Sequence, residues 1–577
     1  MNARNGFLIL LVFVLPMFLM AQDTVEASTA QPSDAVAERG SVEPSTASAT
    51  GKAAMQATEA GGAAVPPSGQ QATPPAEEKK VTKPKKEKKS FFEKFAPILI
   101  LLVVVGIVVV RLPKLDLGHS PEFRKRRVMN WLPLGLTYAF LYMGRYNVKV
   151  SQHAFEKMPD AMGNPMMTNM DFATIFGWGT AVYGASFLLN GPLTDKYGGR
   201  RAILVGAGGA LVANLLMGLA TLSLVTNGPT GWMGENFVTV LTLLYMVNMY
   251  FQSFGAVAVV KTNAPWFHVR ERGVFGAIFG ILISLGIYFA YDIGYMIQDA
   301  YSVEWLFLTP AFMLFIFWVL TFLIVQNSPG EAGLTDFDTA DASSGDDGPA
   351  LGAVAVFKLM LKNPVIMTIA CIEFCSGFLR QAIMQWYRTF AKNTDGMLGE
   401  KGSFVYDNWG MLLCCAGILG GVFAGIISDR VFQSRRGPVA GILYGVMIVL
   451  GGILVFTFDT GAVGWIVVFM SMAVIAVHGM LSGTASMDFG GRKNVGVAVG
   501  IIDGFVYAGT AVMAITYGAI LPEQQLNEAG EIVGPAADPA NWIAWPIAMV
   551  PFAIIGFLFA LKVWNAKPKP KGKPAEA

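Results

Sequence analysis

A chain of 577 residues that is 54% hydrophobic, 14% charged and 12% aromatic, with mean hydropathy +0.50, is too apolar for a soluble domain, and its apolar runs recur at bilayer-spanning length. The net charge of +2 supplies no basic field for nucleic acid, so what matters is where the charges lie relative to the spans. Four cysteines, Cys371, Cys375, Cys414 and Cys415, all within apolar segments, show neither a zinc spacing nor an exported disulfide framework and read as packing residues.

In chain order, residues 1–22, MNARNGFLILLVFVLPMFLMAQ, join a basic start to a short apolar core, the pattern of a signal peptide or an uncleaved first anchor. Residues 23–94 are rich in Ala, Pro, Ser, Thr and Gly and close on KKVTKPKKEKK; with so few large apolar residues they read as a disordered linker. Residues 95–112, FAPILILLVVVGIVVVRL, supply an extra transmembrane helix, and EFRKRR at 122–127 precedes the main body. Twelve further spans follow, beginning near Trp131, Phe172, Ala202, Phe237, Val274, Trp305, Pro364, Asn408, Pro438, Val463, Val495 and Trp542. They divide into a first half at 128–326, a central loop at 327–361, a second half at 362–565 and a basic tail at 566–577. The expected fold class is therefore an all-α polytopic membrane protein of two six-helix halves, with one or two extra amino-terminal spans.

Orientation follows from the loops. Lys196, Arg200, Arg201, Lys261, Arg270, Arg272, Arg430, Arg435, Arg436, Arg492 and Lys493 fall in alternate loops, whereas 226–236, 298–304 and 522–541 carry no Lys or Arg. The positive-inside rule makes the first set cytoplasmic, with both ends of the twelve-span body. Residues 23–94 are then extracytoplasmic by parity, which sets the basic run KKVTKPKKEKK against the rule.

An internal repeat locates the functional centre. GPLTDKYGGRR after the second span matches GIISDRVFQSRRG after the eighth, with Asp195 and Asp429 234 positions apart. Arg145 in YAFLYMGRYNVKV precedes Arg380 in GFLRQAIMQW by 235. Shared offsets indicate two parallel halves, an arrangement that places a substrate site between them near the midplane. An arginine deep in a span costs about 2.5–3.5 kcal/mol on insertion scales, so each needs a cavity or a partner. Counted at about 1.5 Å per residue from the start of each span, both lie roughly 21–24 Å deep, a little past the bilayer centre. The simpler alternatives are snorkelling to the interface, or pairing of Arg380 with Glu373.

These residues carry a family resemblance. The twelve-span body, over roughly 125–565, resembles the major facilitator superfamily, and within it the organophosphate:phosphate antiporters that include glycerol-3-phosphate and hexose-phosphate transporters. FLYMGRYNVKV and FLRQAIMQWYRTF are similar to that family's first- and seventh-helix segments bearing its substrate arginines. FQSFGAVAVVKTNAPWFHVRERG resembles its fourth-to-fifth helix region, with Lys261 where an Arg is usual, and NSPGEAGL, SDRVF and VGVAVGIIDGFVYAG fit as well. The resemblance implies a secondary transporter of the bacterial inner membrane, monomeric and with no cofactor or metal, that exchanges an organic phosphate for inorganic phosphate. It implies Arg145 and Arg380 as substrate-binding residues, and Asp195, Arg200, Arg201, Asp429, Arg430 and Arg435 as gating or packing residues of cytoplasmic loops. Two departures stand out: Ile283 occupies the place of a fifth-helix histidine of the glycerol-phosphate members, and Phe187 that of a second-helix lysine. Lys149, four residues after Arg145 on the same helical face, is expected to replace part of the missing charge. Tyr142, Tyr146, Tyr183, Trp178 and Trp386 are cavity-lining candidates or packing residues.

Two other readings stay open. One is ion-coupled symport of a different anion with Asp292, Glu373 or Asp503 as coupling group; the other is a substrate sensor built on a transporter body. An enzyme is not expected, since no nucleotide loop, metal-ligand cluster or nucleophile constellation appears and the four histidines are scattered at 119, 153, 268 and 478.

Overall fold

The structure is a computed structural model that describes residues 99–107, 118–268, 272–337, 339, 353–400, 402–432, 435–527 and 532–566. The readings for 1–22, 23–94 and 567–577 lie outside them, as do parts of 95–112 and of the central loop; residues 99–107 are helical. Twelve principal helices follow, each at the place of an expected span. The first half holds α1 (Pro121–Phe155), α2 (Asn169–Tyr197), α3 (Gly199–Asn227), α4 (Trp232–Gln252, resuming at Phe254–Asn263), α5 (Arg272–Tyr288) and α6 (Trp305–Ile324). The second holds α7 (Pro364–Asn393), α8 (Trp409–Arg430), α9 (Arg436–Thr457), α10 (Val463–His478), α11 (Ser486–Ile520) and α12 (Ala544–Lys562). A short helix, Ala353–Lys362, precedes α7, and a small antiparallel pairing of Gln525–Leu526 with Ile532–Val533 sits in the loop before α12.

Among the described residues ten helices are long and apolar enough to cross a membrane. The other two are α1, which carries Arg145 and Lys149, and α8, whose apolar part is Trp409–Gly425. Large apolar side chains such as Phe312, Phe456 and Ile515 stand exposed on the outer surface, as a lipid-facing bundle requires.

Local chemistry sets the helix starts. Ser120 accepts from Phe123 N ahead of Pro121, Thr168 and Asp171 form a reciprocal capping box for α2, and Asn363 accepts from the amides of Val365 and Ile366 ahead of Pro364. Two deviations from regular helix follow α5 and α10, where π-helical turns occupy Phe289–Ile293 and Gly479–Ala485. The simple span count does not anticipate them.

The halves meet along two equivalent seams, α2 on α11 and α5 on α8, which exchange under the repeat. In α11, Gly496, Gly500 and Gly504 recur every four residues and so share one face. A Cβ on them would stand 2.9 Å from Gly191 O, 2.7 Å from Phe187 O and 3.2 Å from Gly184 O of α2. Small residues here let two backbones approach as transmembrane helices do when packing replaces the hydrophobic effect. Helix α7 closes on the other side of α11, where a Cβ on Gly377 would lie 1.9 Å from Val506 O. Because backbone cannot yield as a side-chain tip does, Gly377→Ala is expected to destabilise the bundle by about 1–3 kcal/mol. Thermal unfolding of the detergent-solubilised protein reads this as a lowered midpoint; an unchanged midpoint would show that α7 and α11 are not so close.

Candidate functional site

Arg145 and Arg380 both lie buried between the halves, 1% and 5% exposed, which excludes lipid-facing or snorkelling positions. Arg145 donates from Nε to Gln252 Oε1 (2.9 Å), from Nη1 to Tyr507 OH (2.8 Å) and from Nη2 to Tyr183 OH (2.7 Å). Its guanidinium also stands 4.5 Å from the Tyr142 ring centre and 4.4 Å from that of Tyr183. All these partners are neutral: hydrogen bonds and ring faces hold the guanidinium, and no acid among the described residues bonds to it.

A polar ladder positions that arginine. Tyr245 OH donates to Arg145 O, and Asn248 Nδ2 to Gly144 O. Asn214 Nδ2 and Gln252 Nε2 both donate to Asn248 Oδ1, which leaves Gln252 Oε1 turned toward Arg145. Phe187, in place of a lysine, packs edge-on against Tyr183 (4.7 Å between centroids) and stacks on Tyr507 (6.0 Å), buttressing the two phenols that grip Arg145. Ile283 is partly buried in the surrounding apolar packing.

Arg380 differs. Its Nε and Nη2 are buried and have no hydrogen-bond partner among the described residues. Glu373 does not bond it directly; that carboxylate meets His478 Nδ1 at 2.8 Å instead. Tyr142, Tyr146 and Tyr507 lie within charge-interaction range of both arginines. The residue after Arg380, Gln381, donates to Tyr146 OH (2.9 Å) across the seam and accepts from Gln385 Nε2 (2.9 Å). Each arginine is therefore flanked by a tyrosine of the opposite half.

Lys149 shares the face of Arg145 but its side chain runs away from the pair. Nζ donates to Gln152 Oε1 (2.7 Å) and Thr389 Oγ1 (2.8 Å) and stands 4.1 Å from the Phe172 ring and 4.9 Å from Trp386, so it bridges α1 and α7. Trp386 belongs to this bridge, its Nε1 unpartnered among the described residues. Just beyond, Lys392 bonds Glu156, with His153 Nδ1 3.3 Å from Lys392 Nζ. Gln524 donates to Asn393 Oδ1 (2.8 Å), and Asn169 to Pro522 O (3.1 Å). The Lys149–Thr389, Lys392–Glu156 and Asn169–Pro522 contacts tie the halves together at the end opposite the cation-rich loops, while the Gln524–Asn393 bond lies within the second half. Trp178 is 59% exposed, unlike the buried aromatic residues around the arginines. Asp292 accepts from the amides of Gly410 (2.7 Å) and Met411 (2.8 Å) and so caps α8. A third buried guanidinium, Arg388, lies between the rings of Tyr295 (3.6 Å) and Tyr406 (4.1 Å).

At the cation-rich end, Asp195 pairs with Lys261 (2.6 Å) and reaches the backbone of Gly496 and Val497 in α11. Arg200 donates to Phe322 O (2.6 Å) and Gln326 Oε1 (3.3 Å), locking α3 to the exit of α6; Arg201 is exposed. Arg435 donates to Phe432 O (3.1 Å), while the side chains of Asp429 and Arg430 lie outside the described ones. Lys261→Ala strips a half-buried carboxylate of its cation and is expected to cost about 1–3 kcal/mol, whereas Lys261→Arg keeps the pair. Thermal midpoints of the two variants measure this, and equal midpoints would deny the pair a structural role.

The model of the Major Facilitator Superfamily matches residues 134–514. The glycerol-3-phosphate transporter of Bacillus subtilis (strain 168) is 24% identical over 80% of this chain and 96% of its own length. The membrane sensor protein UhpC of Salmonella typhimurium is 21% identical, over 68% of this chain and 84% of its own. Among solved structures, a bacterial homologue of the human lysosomal transporter Spinster, inward-facing and unoccupied, superposes with TM-score 0.55 at 13% identity, covering 79% of this chain and all of that one. The fold and relatives are those of multi-pass membrane transporters rather than enzymes. Twelve helices in two seamed halves, with the family match across most of the body, place this chain in the Major Facilitator Superfamily, to which it belongs.

Proposed function

We propose that the protein exchanges an organic phosphate ester, such as glycerol phosphate or a sugar phosphate, for inorganic phosphate by alternating access. The observation that carries this reading is Arg380, buried between the halves with Nε and Nη2 unpartnered among the described residues, which shares the neighbours Tyr142, Tyr146 and Tyr507 with an Arg145 whose described partners are all neutral. A phosphate near neutral pH carries about −1.5 to −2 charges and three acceptor oxygens, and guanidinium forks match that geometry. Without anion, two like charges in a low-dielectric seam oppose its closure. An anion touching both removes that opposition, so the loaded carrier rocks between its two states faster than the empty one, and exchange follows. The likeness to a glycerol-3-phosphate transporter supports the substrate class.

Reconstitution into liposomes tests the reading. Labelled phosphate uptake is expected to require internal phosphate and to be inhibited by glycerol phosphate or sugar phosphates. Uptake indifferent to internal phosphate and collapsed by a protonophore would contradict exchange. The likeness to a membrane sensor favours one second reading, a substrate sensor on the same body, for which saturable binding without flux is the expected outcome.

A further inference from the structure

The end opposite the cation-rich loops, extracytoplasmic by the positive-inside rule, holds two buried cations that the exchange reading leaves unused. They are Lys149 of the first half and Arg388 of the second, 1% and 9% exposed. They lie four and eight residues beyond Arg145 and Arg380, about 6 and 12 Å farther out along α1 and α7. Each is gripped across the seam by neutral groups. Lys149 Nζ donates to Thr389 Oγ1 (2.8 Å) and stands 4.9 Å from the Trp386 ring, both of the second half. Arg388 lies 3.6 Å from the ring of Tyr295, of the first half.

The acids in reach are engaged elsewhere. Glu156 acts electrostatically on Lys149 and Asp292 on Arg388, but Glu156 bonds Lys392, and Asp292 accepts from the amides of Gly410 and Met411. Buried polar atoms are left over as well: Arg388 Nε, Trp386 Nε1 and Tyr295 OH have no hydrogen-bond partner among the described residues. Keeping a buried cation without a bonded counter-charge is costly, and packed apolar side chains in its place are often more stable. Neutral grips have one property that a carboxylate lacks. They release the cation readily when the halves part, and they leave no bonded acid to repel an arriving anion.

Parting at this end separates Lys149 from Trp386 and Thr389, and Arg388 from Tyr295, so both cations come to line the opened mouth. We propose that Lys149 and Arg388 form an outer anion site, present only in the outward-open state, that holds phosphate or an organic phosphate ahead of the arginine pair. This rests on the phosphate reading above. The same contacts make the site one-sided. With the outer end shut and the inner end open, both cations are gripped again, and an anion arriving from the cytoplasm meets the arginine pair alone.

Half-saturation by labelled phosphate, measured in right-side-out and in inverted membrane vesicles, separates the two faces. In the Lys149→Gln/Arg388→Gln variant the outer half-saturating concentration is expected to rise about tenfold, and the cytoplasmic one by less than about twofold. Loss of a seam contact alone would favour the outward-open state and lower the outer value instead. Lys149→Arg/Arg388→Lys keeps both cations and is expected to stay near the wild type on both faces. A fall in the outer value, equal changes on the two faces, or a charge-conserving variant as impaired as the neutral one would overturn the proposal. If the neutral variant does not insert, pyridoxal phosphate decides the matter in the wild type. Added outside and fixed with borohydride, this phosphate-bearing aldehyde is expected to label Lys149, and excess phosphate to protect it; an unlabelled Lys149 overturns the site. Saturable phosphate uptake with neither signature defeats the outer site alone, whereas no saturable phosphate uptake in the wild type defeats the phosphate reading and the site with it.

Discussion

Arg380→Lys is expected to abolish phosphate exchange in liposomes while leaving the protein folded and inserted. The guanidinium presents Nε and Nη2, buried and without a hydrogen-bond partner among the described residues, as a fork able to span two oxygens of one anion. A lysine ammonium keeps the charge but is a point donor on a flexible stem, and it cannot reproduce both bonds in one plane. Loss of one partner in a buried, hydrogen-bonded charge pair costs about 2–5 kcal/mol, so apparent phosphate affinity should fall by about 30-fold at the least. Arg145→Lys is expected to be as severe, because Gln252, Tyr507 and Tyr183 each hold a different guanidinium nitrogen. Uptake in either variant at the wild-type rate would remove that arginine from the substrate path.

The second large effect is expected at the opposite end of α1 and α7. Lys392 and Glu156 are nearly buried there and bond across the seam, with His153 beside them. Glu156→Gln leaves a buried ammonium without its counter-charge, and breaking a pair of this kind costs about 3–5 kcal/mol. The cost falls on the state in which the halves touch at this end, so the population shifts toward the state in which they part. Hydrogen exchange should speed up in the last turns of α1 and α7, and exchange transport should slow because closing at this end becomes the harder step. Unchanged protection in those turns would show that the Lys149 to Thr389 bond and its neighbours hold the end shut without the ion pair.

Much of this architecture is legible in the sequence. Apolar run length and loop charge give twelve helices, and the paired offsets of Asp195 with Asp429 and of Arg145 with Arg380 give the two halves. What escapes is whatever depends on partners far apart in the chain. Tyr507 lies 362 residues from Arg145, and no local pattern in VGVAVGIIDGFVYAG announces that its hydroxyl will hold a guanidinium. Asp292 reads as a lone acid in an apolar stretch until the start of α8 is seen to lie over it. The spacing of Lys149 correctly gives its helical face, but a long flexible stem lets its ammonium reach Thr389 instead of the arginines. Asn214, Asn248 and Gln252 left a usable signal: amides inside apolar spans, two of them four residues apart, mark an inward polar face. Gln381 and Gln385 repeat the same spacing beside Arg380.

The central claim is that the two arginines share one anion. A double-mutant cycle on equilibrium phosphate binding, with Arg145→Lys, Arg380→Lys and the two combined, tests it most directly. If one phosphate bridges both guanidiniums, the first substitution already breaks the bridge, and the combined variant should lose scarcely more affinity than either alone. Losses that simply add would mean that each arginine acts on its own, and would contradict the account.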